Sequence, residues 1–389
     1  MHFTLKDQPL LVGFAARSSP AGEERAPVVF REFVTSEDGE RLIQRLTAIS
    51  DVFLSKAPAD SRVPPESLID HVVALLHRDG RAEVWVNEPG FMVKAKVKRD
   101  VTAGEDVLLD DFADIAEMVP PGITFPDDAA YVVLFSVGWR KGLAYDFSPL
   151  IPADHLPPEL RAAPLRNVPR LLAGAYTYLL FRSRFILTEE EWRRLYEARW
   201  FPFTGLPAGV IDEMAHHARE GWPLDDLLPK ILGAVRNDLP KVRALITSGP
   251  LFARHRKVLI DALEAFQRGE HALAAAAIYP RIEGILREHH AIRGTGKPGP
   301  AALAGSATRT AGSAGVSLLL PLRFEEYLTG VFFGSEDFSD PTQVTRVTRH
   351  AVAHGVASDD LLDEKAAVIG VLLIQQLAYL LPGDQVSGA

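Results

Sequence analysis

The hydrophobic period of this chain changes across one proline-rich stretch, Pro152 to Pro169 (PADHLPPELRAAPLRNVP). Before it stand short runs with strand character: Pro27–Thr35, Ala82–Asn87, Phe91–Lys98, Tyr131–Val137 and Leu143–Phe147. In Phe91–Lys98 (FMVKAKVK) lysines alternate with apolar residues, so a strand there puts the two kinds on opposite faces. The Glu88-Pro89-Gly90 break predicts a hairpin between Ala82–Asn87 and Phe91–Lys98, and Gly138–Gly142 joins the last two strands. Helical spacing occurs within this part at Asp38–Leu54 and Pro65–His77. Residues 1–150 therefore read as an α+β domain and 151–170 as a linker.

Beyond the linker nearly every segment has helical spacing. Thr188 followed by Glu191 is a capping-box start for a helix through Arg199. Further helices are expected at Leu171–Phe181, Val210–Arg219, Leu224–Asn237, His255–Arg268, Ala272–His289, Arg323–Phe333, Pro341–His354 and Asp359–Leu381. Residues 294–315 (GTGKPGPAALAGSATRTAGSAG) offer so little apolar bulk that a mobile loop is expected. The fold expected is thus an α+β N-terminal domain followed by an all-α region, with 171–250 as a helical connecting region and 251–389 as a helical bundle.

The formal charge of −9 argues against broad coating of nucleic acid, while leaving room for a local basic site. With no cysteine there is no disulfide framework and no thiolate metal site, which fits a reducing cytosol. The first residues, MHFTLKDQPLLVGFAARSSP, lack the basic start and long apolar core of a signal peptide. The apolar runs Leu171–Phe181 and Ala366–Leu381 are short for a membrane span. The expectation is a cytoplasmic protein with no membrane partner.

The segment Thr345–Gly355 (TRVTRHAVAHG) concentrates the chemistry. On a helical wheel with Arg346 at zero, Arg349 falls at about 300°, His350 at about 40° and His354 at about 80°. These basic side chains share one arc, beside an apolar stripe of Val344, Val347 and Ala351 that can dock the helix. Such a concentration stands out in a chain with 12 histidines. Histidine can give or take a proton near neutral pH, and arginine can hold a phosphate through paired N–H bonds.

This arrangement resembles the HEPN superfamily, whose RNase members carry an Arg, often a polar follower, and a His a few residues on. Arg349 matches the Arg, His350 the follower and His354 the His, with four residues between. Upstream, Tyr279–Arg287 (YPRIEGILR) is similar to an "IExxLR" helix of bacterial HEPN-like proteins, with Glu283 and Arg287 on one helical face. The resemblance spans about residues 250–385. It implies a HEPN-like bundle and a metal-independent endoribonuclease of the toxin or phage-defence kind. His354 would then be the acid/base residue, Arg349 would stabilise the phosphorane and His350 would assist. Glu283, Arg287 and Arg346 would support them. It also implies RNA as substrate, a homodimer, and no metal or cofactor, with the N-terminal domain meeting a regulatory partner.

Competing assignments remain for the same residues. A HEPN-like domain without activity keeps Arg and His as a hydrogen-bonded core, with Glu283 pairing Arg349 or Arg287, and then serves dimerisation alone. Asp212, Glu213, His216 and His217 could ligate a metal but fit a solvated helix face better. Gly294–Lys297 lacks the P-loop pattern, because Pro298 stands where Ser or Thr is required. His289 and His290 read as helix-terminal residues favouring the dipole.

Overall fold

The structure is a computed structural model. It describes residues 1–6, 31–34, 40–41, 44, 57–59, 68–77, 79–126, 129–137, 140–146, 167–293, 298–309, 316–334 and 344–381. The chain forms two compact units. The first comprises Met1–Lys94, Ile115–Phe181 and Ala314–Val316; the second comprises Ala95–Asp114, Arg182–Ser313 and Ser317–Ala389.

The first unit is built on an antiparallel sheet. Its strands are β1 (His2–Leu5), β2 (Arg31–Val34), β3 (His71–Leu76), β4 (Ala82–Val86), β7 (Ala130–Val137) and β8 (Arg140–Asp146), in the order β1-β4-β3-β7-β8-β2. Val73 of β3 lies opposite Trp85 on one side and Val133 on the other. One face forms a core of Val72, Ala74, Val84, Leu134 and Leu143, and every residue of β3 is buried. That burial corrects the helix expected at Pro65–His77. A continuous apolar run such as HVVALL has no period to separate a fully buried strand from a buried helix. Helix α1 (Val168–Leu180) lies against β8. It starts at Asn167, whose side chain accepts the Arg170 amide at 3.1 Å. Gly142 admits the helix, since a Cβ there would fall 2.2 Å from Leu179 Cδ1. Of the expected linker, residues 151–166 lie outside the described residues, and Val168 onward is already helix.

The hairpin expected between Ala82–Asn87 and Phe91–Lys98 does not form. Both edges of β4 are taken by β1 and β3, so β5 (Met92–Val97) pairs instead with β6 (Phe112–Val119) in a two-stranded sheet. Of the helix expected at Asp38–Leu54, only Glu40, Arg41 and Gln44 lie among the described residues, and they are helical.

The second unit is mostly helical: α2 (Glu189–Glu197), α3 (Ala208–Glu220), α4 (Leu228–Ser248), α5 (Arg256–Gln267), α6 (His271–Arg293), α7 (Pro300–Arg309), α8 (Pro321–Tyr327), α9 (Arg349–Ala353) and α10 (Glu364–Leu380). The capping box at Thr188 and Glu191 forms as expected, with Glu191 accepting the Thr188 amide at 2.7 Å. Helix α10 is buried on nearly every side, which suits its all-round apolar sequence, and it packs on α4 and α6. Its buried amide Gln376 is satisfied by the Thr204 amide at 2.9 Å and the Leu319 carbonyl at 3.0 Å. Among the described residues, no helix is long and apolar enough to cross a membrane.

Two helical expectations are corrected here. The supposed loop 294–315 contains α7, which buries Leu303, Ala304 and Ala307. Proline opens it, alanine favours it, and its small side chains let it lie close to α6. There His289, buried within α6 rather than ending it, places Nε2 3.3 Å from the Ser306 carbonyl. Residues 294–297 and 310–315 lie outside the described residues. Of the helix expected over Pro341–His354, residues 341–343 lie outside the described residues, and the rest is helical only in α9, because Thr348 is its N-cap in extended conformation.

Candidate functional site

Residues 279, 283 and 287 stand four apart on α6 and therefore share a face. Glu283 on that face is almost wholly buried. One of its oxygens accepts from Arg287 Nε at 2.7 Å, while the other forms an ion pair with Arg349 Nε of α9. A buried carboxylate is tolerated only when charge and hydrogen bonds answer it; here Arg287 supplies the hydrogen bond and Arg349 a second positive charge.

Helix α9 is positioned by its own sequence. Thr348 Oγ1 accepts the Ala351 amide at 3.1 Å, Val347 and Ala351 anchor it in the core, and Gly355 ends it at φ +67°. His350 within the helix and His354 at its C-cap stand one turn apart, with ring centroids 6.2 Å apart and planes 16° from parallel. Arg349 Nη1 lies 3.3 Å from His350 Nδ1. Arg349 and His350 are partly buried and His354 is exposed.

Burial, then the charges of Arg349 and His354, lowers His350 from its ordinary value. At neutral pH it is therefore a neutral imidazole able to accept a proton or a hydrogen bond. Burial also lowers Arg349, yet a guanidinium keeps its charge. A neutral imidazole, a fixed cation and an exposed second imidazole within one turn can together move a proton beside an anion.

No family model matches this chain, and no curated protein or solved structure matches it either.

The structure brings together Arg349, His350, His354, Glu283 and Arg287, but places Arg346 differently. Arg346 precedes the Thr348 cap, so it is not on the helix and the four-residue arc drawn on the wheel does not exist. Threonine is a favoured N-cap, and that preference is the signal that could have located the true start. Exposed Arg346 makes no hydrogen bond or ion pair among the described residues. Instead it lines a cavity of about 250 Å³ together with Arg199 and Thr348.

Arg199 escaped the sequence reading. It follows α2 at φ +60°, the position of a Schellman turn where glycine is usual. The Arg199 amide donates to the Tyr196 carbonyl at 2.9 Å, and the Trp200 amide to the Leu195 carbonyl at 2.8 Å. Its Nη2 donates to Tyr279 Oη at 3.2 Å, one turn before Glu283 on α6. The alternative group on α3 has other engagements: Asp212 accepts from Ser183 at 2.6 Å, Glu213 pairs with Lys230, and both histidine rings stand edge-on to Trp222. Among the described residues there is no cluster of three or more potential metal ligands.

Proposed function

We propose that the second unit is a HEPN-like helical domain carrying a metal-independent endoribonuclease site on α9. The observation that supports this reading is the single turn holding Arg349, His350 and His354, with Arg349 held by buried Glu283. In the reaction proposed, an RNA 2′-hydroxyl attacks its own phosphorus and the bond to the 5′-oxygen breaks. One imidazole takes the 2′ proton and another donates a proton to the leaving 5′-oxygen, while Arg349 faces the charge of the phosphorane. His354 is assigned the principal acid/base role because it is exposed to substrate; His350, held neutral, assists. The resemblance that motivates this reading carries a homodimer with it, two such turns facing one cleft.

The test is RNA cleavage by the full chain in the presence of a chelator, with products ending in a 2′,3′-cyclic phosphate and a 5′-hydroxyl. His354→Ala should abolish cleavage and leave the thermal midpoint unchanged, because the side chain is exposed. Products bearing a 5′-phosphate would overturn the mechanism.

A second reading rests on the Glu283 pairing itself. An Arg349 held by a buried carboxylate also serves as a clamp between α6 and α9, so the unit could be a non-catalytic interaction or dimerisation domain. A parent protein that leaves RNA intact would favour that reading.

A further inference from the structure

We propose that the cavity between Arg199, Arg346 and Thr348 is a phosphate-binding subsite that holds a backbone phosphate of single-stranded RNA beside the α9 histidines. The identity of the strand as RNA rests on the reading of α9 given above; the affinity for phosphate does not.

Four observations carry the assignment. The cavity, about 250 Å³, is lined by Tyr196, Arg199, Thr329, Gly330, Arg346 and Thr348 among others, and no carboxylate is among the described residues that line it. That size lies just under the roughly 300–1,000 Å³ of drug-sized sites and suits a phosphate with part of its sugar. The guanidinium groups are also under-used: Arg199 makes one side-chain hydrogen bond among the described residues, through Nη2 to Tyr279. Exposed Arg346 has no hydrogen-bond partner among the described residues. Arg346 brings an unanswered positive charge to the cavity wall, and an anion there would accept its paired N–H bonds.

The adjoining hollow provides the internal contrast. It shares Tyr196, Gly330 and Arg346, but its other arginines are already neutralised: Arg193 by Glu190 and Glu197, Arg323 by Glu189 and Glu326. An anion therefore prefers the side of Arg199. Backbone irregularities also converge on this place. Arg199 occupies a left-handed conformation unfavourable to a side chain, and Leu328–Phe332, which contributes Thr329 and Gly330, is a π-helical turn.

The subsite is tied to α9 through one helix face. Tyr279 holds Arg199 and Glu283 holds Arg349, four residues apart on α6, while Thr348 both lines the cavity and caps α9. A phosphate between Arg199 and Arg346 thus sits at the N-cap of the helix that carries the histidine pair.

The experiment measures binding of a fluorescein-labelled single-stranded 2′-O-methyl RNA to the full chain over a salt series. This probe has no free 2′-hydroxyl and cannot be cut by the proposed route. Arg346→Ala should weaken binding about tenfold and flatten the slope of log affinity against log salt by about 0.7. Arg199→Asn, which keeps a residue tolerant of the left-handed backbone, should act in the same direction. Arg323→Ala, in the neutralised hollow, should change affinity less than about twofold. Inorganic phosphate should compete against the parent more effectively than against Arg346→Ala. If Arg346→Ala binds within twofold of the parent at an unchanged slope, or if the parent does not bind the probe, the subsite is overturned. Should Arg199→Asn fail to fold, Arg346→Ala decides alone, because that side chain is exposed. Cleavage of unmethylated RNA is scored separately. A parent that cuts while Arg346→Ala binds normally keeps the nuclease and loses the subsite. A parent that does not cut, yet binds the probe in an Arg346-dependent way, keeps the subsite and loses the nuclease.

Discussion

Replacing Glu283 with glutamine isolates the interaction on which both functional readings depend. The substitution keeps the shape of the side chain and removes its charge, leaving Arg287 and Arg349 without their shared carboxylate. Removing one partner of a fully buried ion pair costs about 3–5 kcal/mol. Here Arg349 keeps 21% of its side-chain exposure and Arg287 keeps 50%, so water recovers part of that loss. A destabilisation of about 2–3 kcal/mol follows, closer to the buried than to the surface limit. For a unit of roughly 150–250 residues this lowers the thermal midpoint by about 4–12 °C. Calorimetry of the parent, Glu283→Gln, Arg349→Met and the double variant would measure it, and the cycle should give a coupling of about 1 kcal/mol or more. A midpoint unchanged by Glu283→Gln, or single effects that add within about 0.5 kcal/mol, would refute the clamp between α6 and α9.

The remaining expectations concern pH and the corrected loop. His350 is lowered from its ordinary 6.5 in the folded chain, so below that pH the unfolded chain takes up the proton more readily. Its contribution to stability is present above about pH 6.5 and is lost as pH falls. The midpoint of the parent should therefore drop more steeply than that of His350→Gln between about pH 7.5 and pH 5, and parallel curves would contradict the assignment. Leu303→Ala should destabilise the chain by about 2–5 kcal/mol in chemical denaturation, because Leu303 is fully buried in α7; a change near zero would restore the loop.

What was legible in the sequence followed from local rules. Periodicity and a capping box located α2 to α6 and α10 to within a few residues or a turn, the longest shortfall being the C-terminal half of α4; alternation marked β5, and strand-like runs marked β4, β7 and the second half of β8. The failures occurred where tertiary burial outweighs period. β3 has apolar residues on both faces and so no period, and α7 uses small residues for close packing that composition cannot distinguish from a loop. The partner of β5 depended on which edges of β4 were already taken, and nothing in the Glu88-Pro89-Gly90 break encodes that.

The site divides along the same line. Glu283 with Arg287 within α6, and His350 with His354 at the C-cap of α9, are spacings of four, and both could be read from the chain. Arg199 is out of reach of such reading, because its meaning lies in a left-handed backbone and a bond to Tyr279, which lies 80 residues away in sequence. Yet the link to α6 unites the two halves. Tyr279 is fully buried and accepts from Arg199 while donating to the Ala366 carbonyl of α10 at 3.3 Å. One turn on, Glu283 engages Arg349. A single helix face therefore fixes two cations from distant parts of the chain, each through a buried anchor. Side chains as long as arginine lose much rotamer freedom on being fixed, and a core alone would be filled more cheaply by apolar groups. That two arginines are held in this way, next to an imidazole kept neutral and a cavity with no carboxylate among its described lining residues, is what favours an anionic ligand over a purely structural clamp.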